Sequence, residues 1–208
     1  TASILKNHII RFTVILLAAL LANDLSAATP QEITVVYSMD SVPFQYTDEN
    51  GQPNGIIIDH WKLWSEKTGI QVNFIETSWN KTLTMTGDGK VDAHAGLFYN
   101  KARDQFLDYG VALTKTDTHV FYHKSVEIPN DIKKLSAYRI GVLAGDFVEG
   151  YLKKKVNPGS VVGFPGYEEI MAALQSGELK VFAADTATGL FYLAQAGLLA
   201  KFKHKRTT

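Results

Sequence analysis

The sequence predicts an α/β fold of two lobes, each built on a parallel-rich sheet flanked by helices. Short β-rich runs alternate with helical stretches twice along the chain, first over residues 33–96 and again over residues 139–185. Such alternation is typical of parallel sheets whose two faces are covered by helices. An extended stretch at 106–123 separates the two blocks, so the repetition predicts two lobes.

The first block begins with a β-branched strand and contains two helices. Ile58, Trp61 and Trp64 recur at three-residue steps and mark the buried face of one helix, which Gly69 ends. Ser78 is a suitable N-cap for the next helix. The predicted elements are a strand at 33–37, a loop or hairpin at 43–53, a helix at 58–68, a strand at 72–75, a helix at 79–87 and a strand at 91–95.

The second block repeats this order of strands and helices. It follows a short helix predicted at 132–135, and glycines at 159, 177 and 197 end its segments. The predicted elements are a strand at 139–143, a helix at 147–155, a strand at 161–164, a helix at 167–175, a strand at 181–184 and a helix at 186–196.

The first residues indicate export. A modestly basic start containing Lys6 and Arg11 precedes an apolar run at 12–22, and small residues follow at Ser26 and Ala28. A run of this length fits a signal peptide and is shorter than the ~20 residues that cross a bilayer. We expect a signal peptide at 1–28 and a periplasmic location, with an uncleaved membrane anchor as the alternative.

Composition and motifs exclude several classes of function. Lys plus Arg (21) balances Asp plus Glu (21), which argues against nucleic acid as a partner. The absence of cysteine excludes disulfides and thiolate metal sites. The pairs His94 with Asp92 and His119 with His123 lack a third ligand nearby, and the chain contains no P-loop or dinucleotide fingerprint. We therefore predict no metal and no cofactor.

The position of a binding site follows from the predicted topology. In open α/β sheets, ligands bind outside the carboxyl ends of the strands. The segments at these ends are rich in glycine, aromatic and single polar residues, which suits a small polar ligand. They comprise residues 38–41, 77–79, 96–99, 144–147, 163–165 and 184–186.

Residues 33–199 resemble the bacterial extracellular solute-binding proteins of family 3, which are periplasmic binding proteins of type II. The order and spacing of several short motifs carry the resemblance. These are Pro43-Phe44, Gly55-Ile56-x-x-Asp59, Trp79 with Leu83, Gly89-Lys90-Val91-Asp92, Ala95-Gly96-Leu97 with Arg103, Arg139-Ile-Gly141-Val142-Leu-x-Gly145, and Gly177-Glu-Leu-x-Val-x-Ala-Ala-Asp185. The resemblance implies binding of an amino acid or related small carboxylate between two lobes.

The sequence resembles one subgroup of the family more closely than it resembles the family as a whole. The stretch from Trp61 to Gly69, the run from His94 to Phe98 and the run from Gly177 to Asp185 resemble periplasmic sensor modules that precede diguanylate cyclase or histidine kinase domains. This implies a sensory input module of a membrane signalling protein. A receptor for an ABC-type amino-acid permease is the alternative. A cleft lyase or dehydratase using Glu149 or Glu168 is an alternative of another class, and we expect no enzyme within the chain itself.

The resemblance also implies roles for individual residues. Arg103 would clamp a ligand carboxylate, and a surface arginine is the structural alternative. Asp185 would hold a ligand ammonium group, although an aspartate before Thr186 is also a good helix N-cap. Trp79 matches the stacking position of the family. Four further residues lie at or near strand ends and could line the ligand, namely Phe44, Gly96, Phe98 and Tyr99.

Two positions depart from the family pattern. Asp146 and Phe147 follow Gly145, where amino-acid receptors place small hydroxyl residues against the ligand carboxylate. Phe98 and Asn100 likewise replace Ser or Thr. These replacements point away from a plain α-amino acid as ligand.

The expected boundaries are lobe 1 at 29–115 and lobe 2 at 116–200, with the hinge near 113–122. Residues 201–208 would start the segment that, in the family, returns to lobe 1, and the return itself is missing. A missing return strand exposes a sheet edge. We therefore expect residues 29–208 alone to be poorly soluble or to have a loose first lobe.

Overall fold

The computed structural model describes residues 31–129 and 131–207. The predicted signal peptide lies outside the described residues. Within them, no helix is long and apolar enough to cross a membrane.

The first lobe contains a three-stranded parallel sheet with two helices. Its strands are β1 (Glu32–Ser38), β5 (Gln71–Thr77) and β6 (Ala93–His94), in the order β5-β1-β6. Helix α1 (Ile56–Thr68) ends where Gly69 adopts a left-handed φ of 73°, and α2 (Trp79–Gly87) starts after Ser78. The short strands β2 (Asp40–Ser41), β3 (Gln45–Thr47) and β4 (Pro53–Asn54) form a small antiparallel sheet beside them, which confirms the predicted hairpin.

The second lobe contains a five-stranded mixed sheet. Its strands are β7 (Thr118–His123), β8 (Ile140–Leu143), β9 (Val161–Phe164), β10 (Val181–Asp185) and β11 (Phe202–Arg206), in the order β11-β7-β10-β8-β9. The helices are α3 (Phe147–Lys153), α4 (Tyr167–Ser176) and α5 (Thr186–Gln195). The parallel core β10-β8-β9 repeats the strand order of the first lobe, with the first strand of the block in the centre.

The structure differs from the sequence expectations in several elements, and Trp64, expected on the buried face of α1, is 36% exposed. Strand β6 spans two residues instead of the predicted 91–95, and the helix predicted at 132–135 is a 3-10 helix over Ile132–Ala137. The helix predicted at 147–155 ends at Lys153. Strand β11, within residues 201–208, pairs antiparallel with β7 and forms an edge of the second sheet. Antiparallel pairing of β7 with β10 also makes the second sheet mixed.

The buried side chains form three clusters of unequal size. The first-lobe cluster comprises Val35, Tyr37, Ile57, Ile58 and Ala95. The second sheet has a cluster that includes Val142 and Leu152, and another, larger one that includes Phe121 and Phe182. The larger cluster extends into the first lobe, since Trp79 belongs to it.

Candidate functional site

The carboxyl ends of the strands of the two lobes meet where α2 begins. Trp79, the first residue of α2, is 5% exposed and shares a buried cluster with Leu143 and Tyr167 of the second lobe. Leu83 and Leu97 of the first lobe pack against the same cluster. The predicted meeting of strand ends from both lobes is therefore present in the structure.

Arg103 joins the two lobes through its guanidinium group. Its Nη1 donates to the Phe98 carbonyl at 2.9 Å, and its Nη2 donates to the Gly145 carbonyl of the second lobe at 3.0 Å. The guanidinium carbon lies 5.4 Å from the centroid of the Trp79 ring, within reach of a cation–π contact. Arg103 is 5% exposed, so it is not a surface arginine.

The approach of Arg103 to the second lobe requires a glycine at position 145. Gly145 has a left-handed φ of 77°, and a Cβ there would overlap the Asn80 side chain of α2. Any other residue would therefore strain the backbone and displace the Asn80 side chain.

A hydrogen-bond chain fixes the position of Trp79. The Gly96 N–H donates to His94 Nδ1 at 3.1 Å, so His94 Nε2 carries the proton and donates to Thr82 Oγ1 at 2.9 Å. Thr82 in turn donates to the Trp79 carbonyl at 2.6 Å. Burial lowers the pKa of His94 to about 3, with the Arg103 charge as a second cause, so the ring is neutral at physiological pH.

Asp146 of the second lobe lies near Arg103, and Asp185 of the same lobe lies near Asp146. Burial raises the pKa of Asp146 to about 6, and the nearby Arg103 charge opposes that rise. Burial also raises the pKa of Asp185 to about 8, and the Asp146 charge raises it further. The charge of Asp146 therefore opposes ionisation of Asp185.

Asp185 has an acceptor atom that no protein group satisfies. The Thr118 side chain hydrogen-bonds to the Asp185 carboxyl, but Asp185 Oδ1 is buried without a partner. The side chain makes no capping hydrogen bond to α5, so the structure does not support the N-cap alternative. Trp79 Nε1 is also buried without a partner. Unpaired buried atoms are uncommon in native proteins and are often explained by a missing ligand or water.

Aromatic side chains from both lobes close the site on one side. The ring centroids of Phe98 and Phe147 lie 5.1 Å apart at an interplanar angle of 32°.

Gly96 packs closely against the first lobe. Its carbonyl accepts a hydrogen bond from Gln45 Nε2 at 2.9 Å, and a Cβ at position 96 would lie 2.7 Å from Ile57 Cδ1. Gly96 therefore serves close packing behind the site.

Two residues of the predicted set lie elsewhere. Phe44 packs against the first-lobe core that contains Val35 and Ile58. Tyr99 is 54% exposed and contacts Tyr109 edge to face at a centroid distance of 5.1 Å. The structure brings together the other seven: Trp79, Gly96, Phe98, Arg103, Asp146, Phe147 and Asp185.

An open cavity of about 290 Å³ lies between the Arg103 loop and α3. Arg103 and Asp146 line it, together with Asn100 and Lys153. Its size is close to the lower end of the range for small-molecule pockets. The cavity places the guanidinium and one of the two carboxyl groups on a path open to solvent.

The acids named for a lyase are not paired in this site. Glu149 accepts from the Gly145 N–H at 2.6 Å and from Lys153 Nζ at 2.7 Å. Glu168 lies on the exposed side of α4, in a groove against α5. Glu149 and Glu168 line different cavities and therefore do not face a common substrate position.

The histidine pairs also differ from the sequence expectation. His119 hydrogen-bonds His204 through Nδ1 atoms 2.6 Å apart, and His123 contacts Ser125. Among residues 31–129 and 131–207, no three metal-ligating side chains are grouped.

Comparison with known proteins identifies the family. Residues 33–160 match the family of bacterial extracellular solute-binding proteins, family 3. The chain belongs to this family. The prediction drawn from the sequence motifs is therefore confirmed.

Family 3 relatives include the histidine-binding periplasmic protein of Escherichia coli (strain K12). It is 24% identical over 173 residues, which cover 81% of this chain and 66% of the relative. The chain thus matches less than two thirds of the length of this relative.

Solved structures show the same two-lobed fold. An ancestral arginine-binding protein bound to glutamine superposes with a TM-score of 0.76 at 24% identity, covering 86% of this chain and 80% of the other. A histidine kinase sensor domain similar to periplasmic binding proteins superposes with a TM-score of 0.74 at 18% identity, covering 86% and 78%. The predicted fold is confirmed.

Sequence reasoning missed Thr118 and Asn80 at the site. Thr118 is opposite Asp185 in the antiparallel register of β7 and β10. No short sequence motif predicts this pairing of strands. Asn80 lies against Gly145 of the other lobe. Its position next to Trp79 at the start of a helix was the only available signal.

Proposed function

We propose that the chain binds a small, polar, amino-acid-like solute between its lobes, outside the cytoplasmic membrane, as the sensory input module of a membrane signalling protein. One observation carries the binding proposal. A buried guanidinium group contacts both lobes near the Asp146 carboxyl, and the neighbouring Asp185 carboxyl has a buried acceptor atom without a partner. Such convergent polar groups at an interlobe cleft are typical of ligand sites.

The relatives support the same class of ligand. The curated relatives are histidine-binding periplasmic proteins, and two solved structures are an ancestral arginine-binding protein bound to glutamine or to arginine. The periplasmic location of those relatives agrees with the export expected from residues 1–28.

The contacts of Arg103 suggest how a ligand would be reported. Arg103 links the lobes at Gly145, and the Phe98 ring lies tilted against the Phe147 ring across the same boundary. A solute that enters must compete for the guanidinium group or add new contacts to it. Either change alters the balance between open and closed lobes, which a membrane partner can detect.

A thermal-shift screen tests the binding proposal. The purified protein is heated with each of the twenty amino acids and with small dicarboxylates, because a ligand that binds only the folded state raises the melting temperature. We expect at least one compound to raise it, and Arg103→Leu to abolish the increase. Arg139→Leu is the matched control, since Arg139 forms only an exposed ion pair with Glu178. Absence of any shift across the panel would contradict the proposal.

A transport receptor is the second candidate, favoured by the histidine-binding relatives. The sensor is favoured by the superposition on a histidine kinase sensor domain and by the sequence resemblance. The complete reading frame distinguishes them. A continuation into a membrane-spanning helix and a cytoplasmic output domain supports the sensor, whereas a frame that ends after the binding domain supports the receptor.

A further inference from the structure

The outward face of helix α1 exposes large apolar side chains. Ile56 is 44% exposed and Leu63 is 48% exposed, and Trp64 beside Leu63 is 36% exposed. Ile56 and Leu63 are about two helical turns apart, so they lie on the same side of the helix. Ile57 and Ile58, in contrast, are buried in the first-lobe cluster. Adjoining exposed apolar side chains of this size are typical of interaction surfaces.

Charged side chains of both signs accompany the apolar ones on α1. Asp59 and Glu66 are acidic, Lys62 and Lys67 are basic, and all four are exposed. Lys62 Nζ lies 3.9 Å from Asp59 Oδ1, and both side chains are more than half exposed. Such an exposed pair contributes little to the stability of its own helix. The four charges are therefore free to pair with groups on another molecule.

The order of these charges is complementary to that of the same helix running in the opposite direction. When two antiparallel copies of α1 cross at Leu63, residues equally far before and after Leu63 come level with each other. Asp59 precedes Leu63 by four residues and Lys67 follows it by four, so each Asp59 is level with a Lys67. Lys62 and Glu66 come level to within about 3 Å by the same geometry. A parallel arrangement would bring equal charges together instead.

We infer that α1 forms the interface of a homodimer, in which two copies of the helix pack antiparallel about a twofold axis at Leu63. Twofold dimers are the commonest homo-oligomers. The formal net charge of the chain is zero, which favours association of like molecules. A contact confined to one helix of 13 residues is small beside the ~1,600 Å² of a standard interface, so the dimer should be weak. This inference goes beyond the proposed function, since it concerns a surface of the first lobe and not the solute site.

Sedimentation equilibrium of the purified protein tests the inference over a concentration range from about 1 to 500 µM, which brackets a weak dimer. We expect the average mass to rise with concentration from that of a monomer towards that of a dimer. Leu63→Glu should raise the dissociation constant at least about tenfold, because it places two like charges together at the twofold axis. Val111→Glu is the matched control, since Val111 is an 87% exposed apolar residue of the first lobe outside α1. Unchanged far-UV circular dichroism shows that both variants fold.

Charge reversal tests the antiparallel arrangement. Asp59→Lys brings two cations together at each end of the helix pair, and Lys67→Asp brings two anions together there. Each variant alone should therefore dimerise at least about tenfold more weakly than the wild type. An equimolar mixture of the two variants has opposite charges at both ends and should dimerise about as tightly as the wild type. Asp88→Lys is the control, because Asp88 forms an exposed ion pair with Lys90 outside α1.

The outcomes separate this inference from the proposed function, because none of these measurements involves a solute. A monomer at every concentration would overturn the inference and leave the α1 face to a different protein or to another segment of the chain. A dimer that Leu63→Glu does not weaken would also overturn it. A dimer that Leu63→Glu weakens, but that mixing the two charge variants does not restore, would overturn the antiparallel arrangement.

Discussion

The two lobes share one order of parallel strands, but they differ in how much apolar side chain each buries. The second lobe has a buried cluster that includes Val142 and a larger one that includes Phe182. The first lobe buries one cluster of five side chains, and no residue of β5 is fully buried. The same topology therefore does not imply the same stability.

Part of the first lobe is stabilised by the second. Trp79, Leu83 and Leu97 belong to the first lobe but pack into the larger cluster of the second. Opening of the cleft would expose these side chains, so interlobe contact and stability of the first lobe are coupled. A ligand that holds the lobes together should stabilise the first lobe more than the second.

Trp79→Ala should cause the greatest loss of stability among the changes considered. It removes a large buried side chain from the boundary between the lobes, which costs about 3–5 kcal/mol of unfolding free energy. Urea denaturation measures the loss. Trp64→Ala is the control, since Trp64 is 36% exposed on α1. Equal losses of unfolding free energy for the two variants would show that the packing of Trp79 between the lobes stabilises the protein no more than an exposed tryptophan does.

Arg103→Leu should lower the unfolding free energy by about 2–3 kcal/mol, because it leaves the carbonyls of Phe98 and Gly145 without their donor. Thermal unfolding measures this loss of unfolding free energy. In the variant, amide hydrogen exchange should accelerate more in β1 of the first lobe than in β8 of the second. Arg139→Leu should change the unfolding free energy by less than about 1 kcal/mol. Unchanged exchange in β1 would indicate that Arg103 does not couple the lobes.

Asp185 in the second lobe should make the protein less stable as the pH rises. The folded protein keeps this proton up to about pH 8, whereas the unfolded chain loses it near the ordinary pKa of 3.8. The folded state therefore binds more protons between these values, and the unfolding free energy falls as the pH increases through that window. Between pH 5 and pH 7, the unfolding free energy of the wild type should fall by about 1–2 kcal/mol more than that of Asp185→Asn. Urea denaturation without ligand measures both. A pH dependence identical to that of the wild type would refute this assignment.

His94 in the first lobe should act in the opposite direction. Its pKa is about 3 in the folded protein and 6.5 ordinarily, so the unfolded chain binds a proton below pH 6.5 that the folded protein does not. The unfolding free energy therefore falls as the pH decreases from 6.5 towards 3. His94→Gln should reduce the loss between pH 7 and pH 5 by about 1 kcal/mol. His60→Gln, at an exposed histidine of α1, is the control.

Most of the fold could be predicted from the sequence because its signals are local. The β-branched run of β1, the glycine after α1 and the apolar face of α4 each fix one element with nearby residues. The antiparallel pairing of β7 and β11 could not be predicted, since it depends on contacts between residues about 85 positions apart. The polar face of β11 also lacks the apolar alternation that marks a strand.

The site could be predicted less completely than the fold. The family resemblance pointed to Arg103, Trp79 and Asp185; the structure brings Arg103 into contact with Trp79 and places Asp185 near Asp146. It could not show that Phe44 packs inside the first lobe or that Tyr99 lies on the surface. Those positions depend on the direction of side chains in loops, which strand ends alone do not determine.

Fluorescence of Trp79 offers the most direct test that the cleft between the lobes is the solute site. The chain has three tryptophans, so Trp61→Phe with Trp64→Phe leaves Trp79 as the single reporter, next to Arg103. Titration with L-arginine should change its emission saturably, and Asp185→Asn should raise the L-arginine concentration that gives half of the change at least about tenfold. Binding of L-arginine by calorimetry with no change in Trp79 emission would place the solute elsewhere and contradict the account.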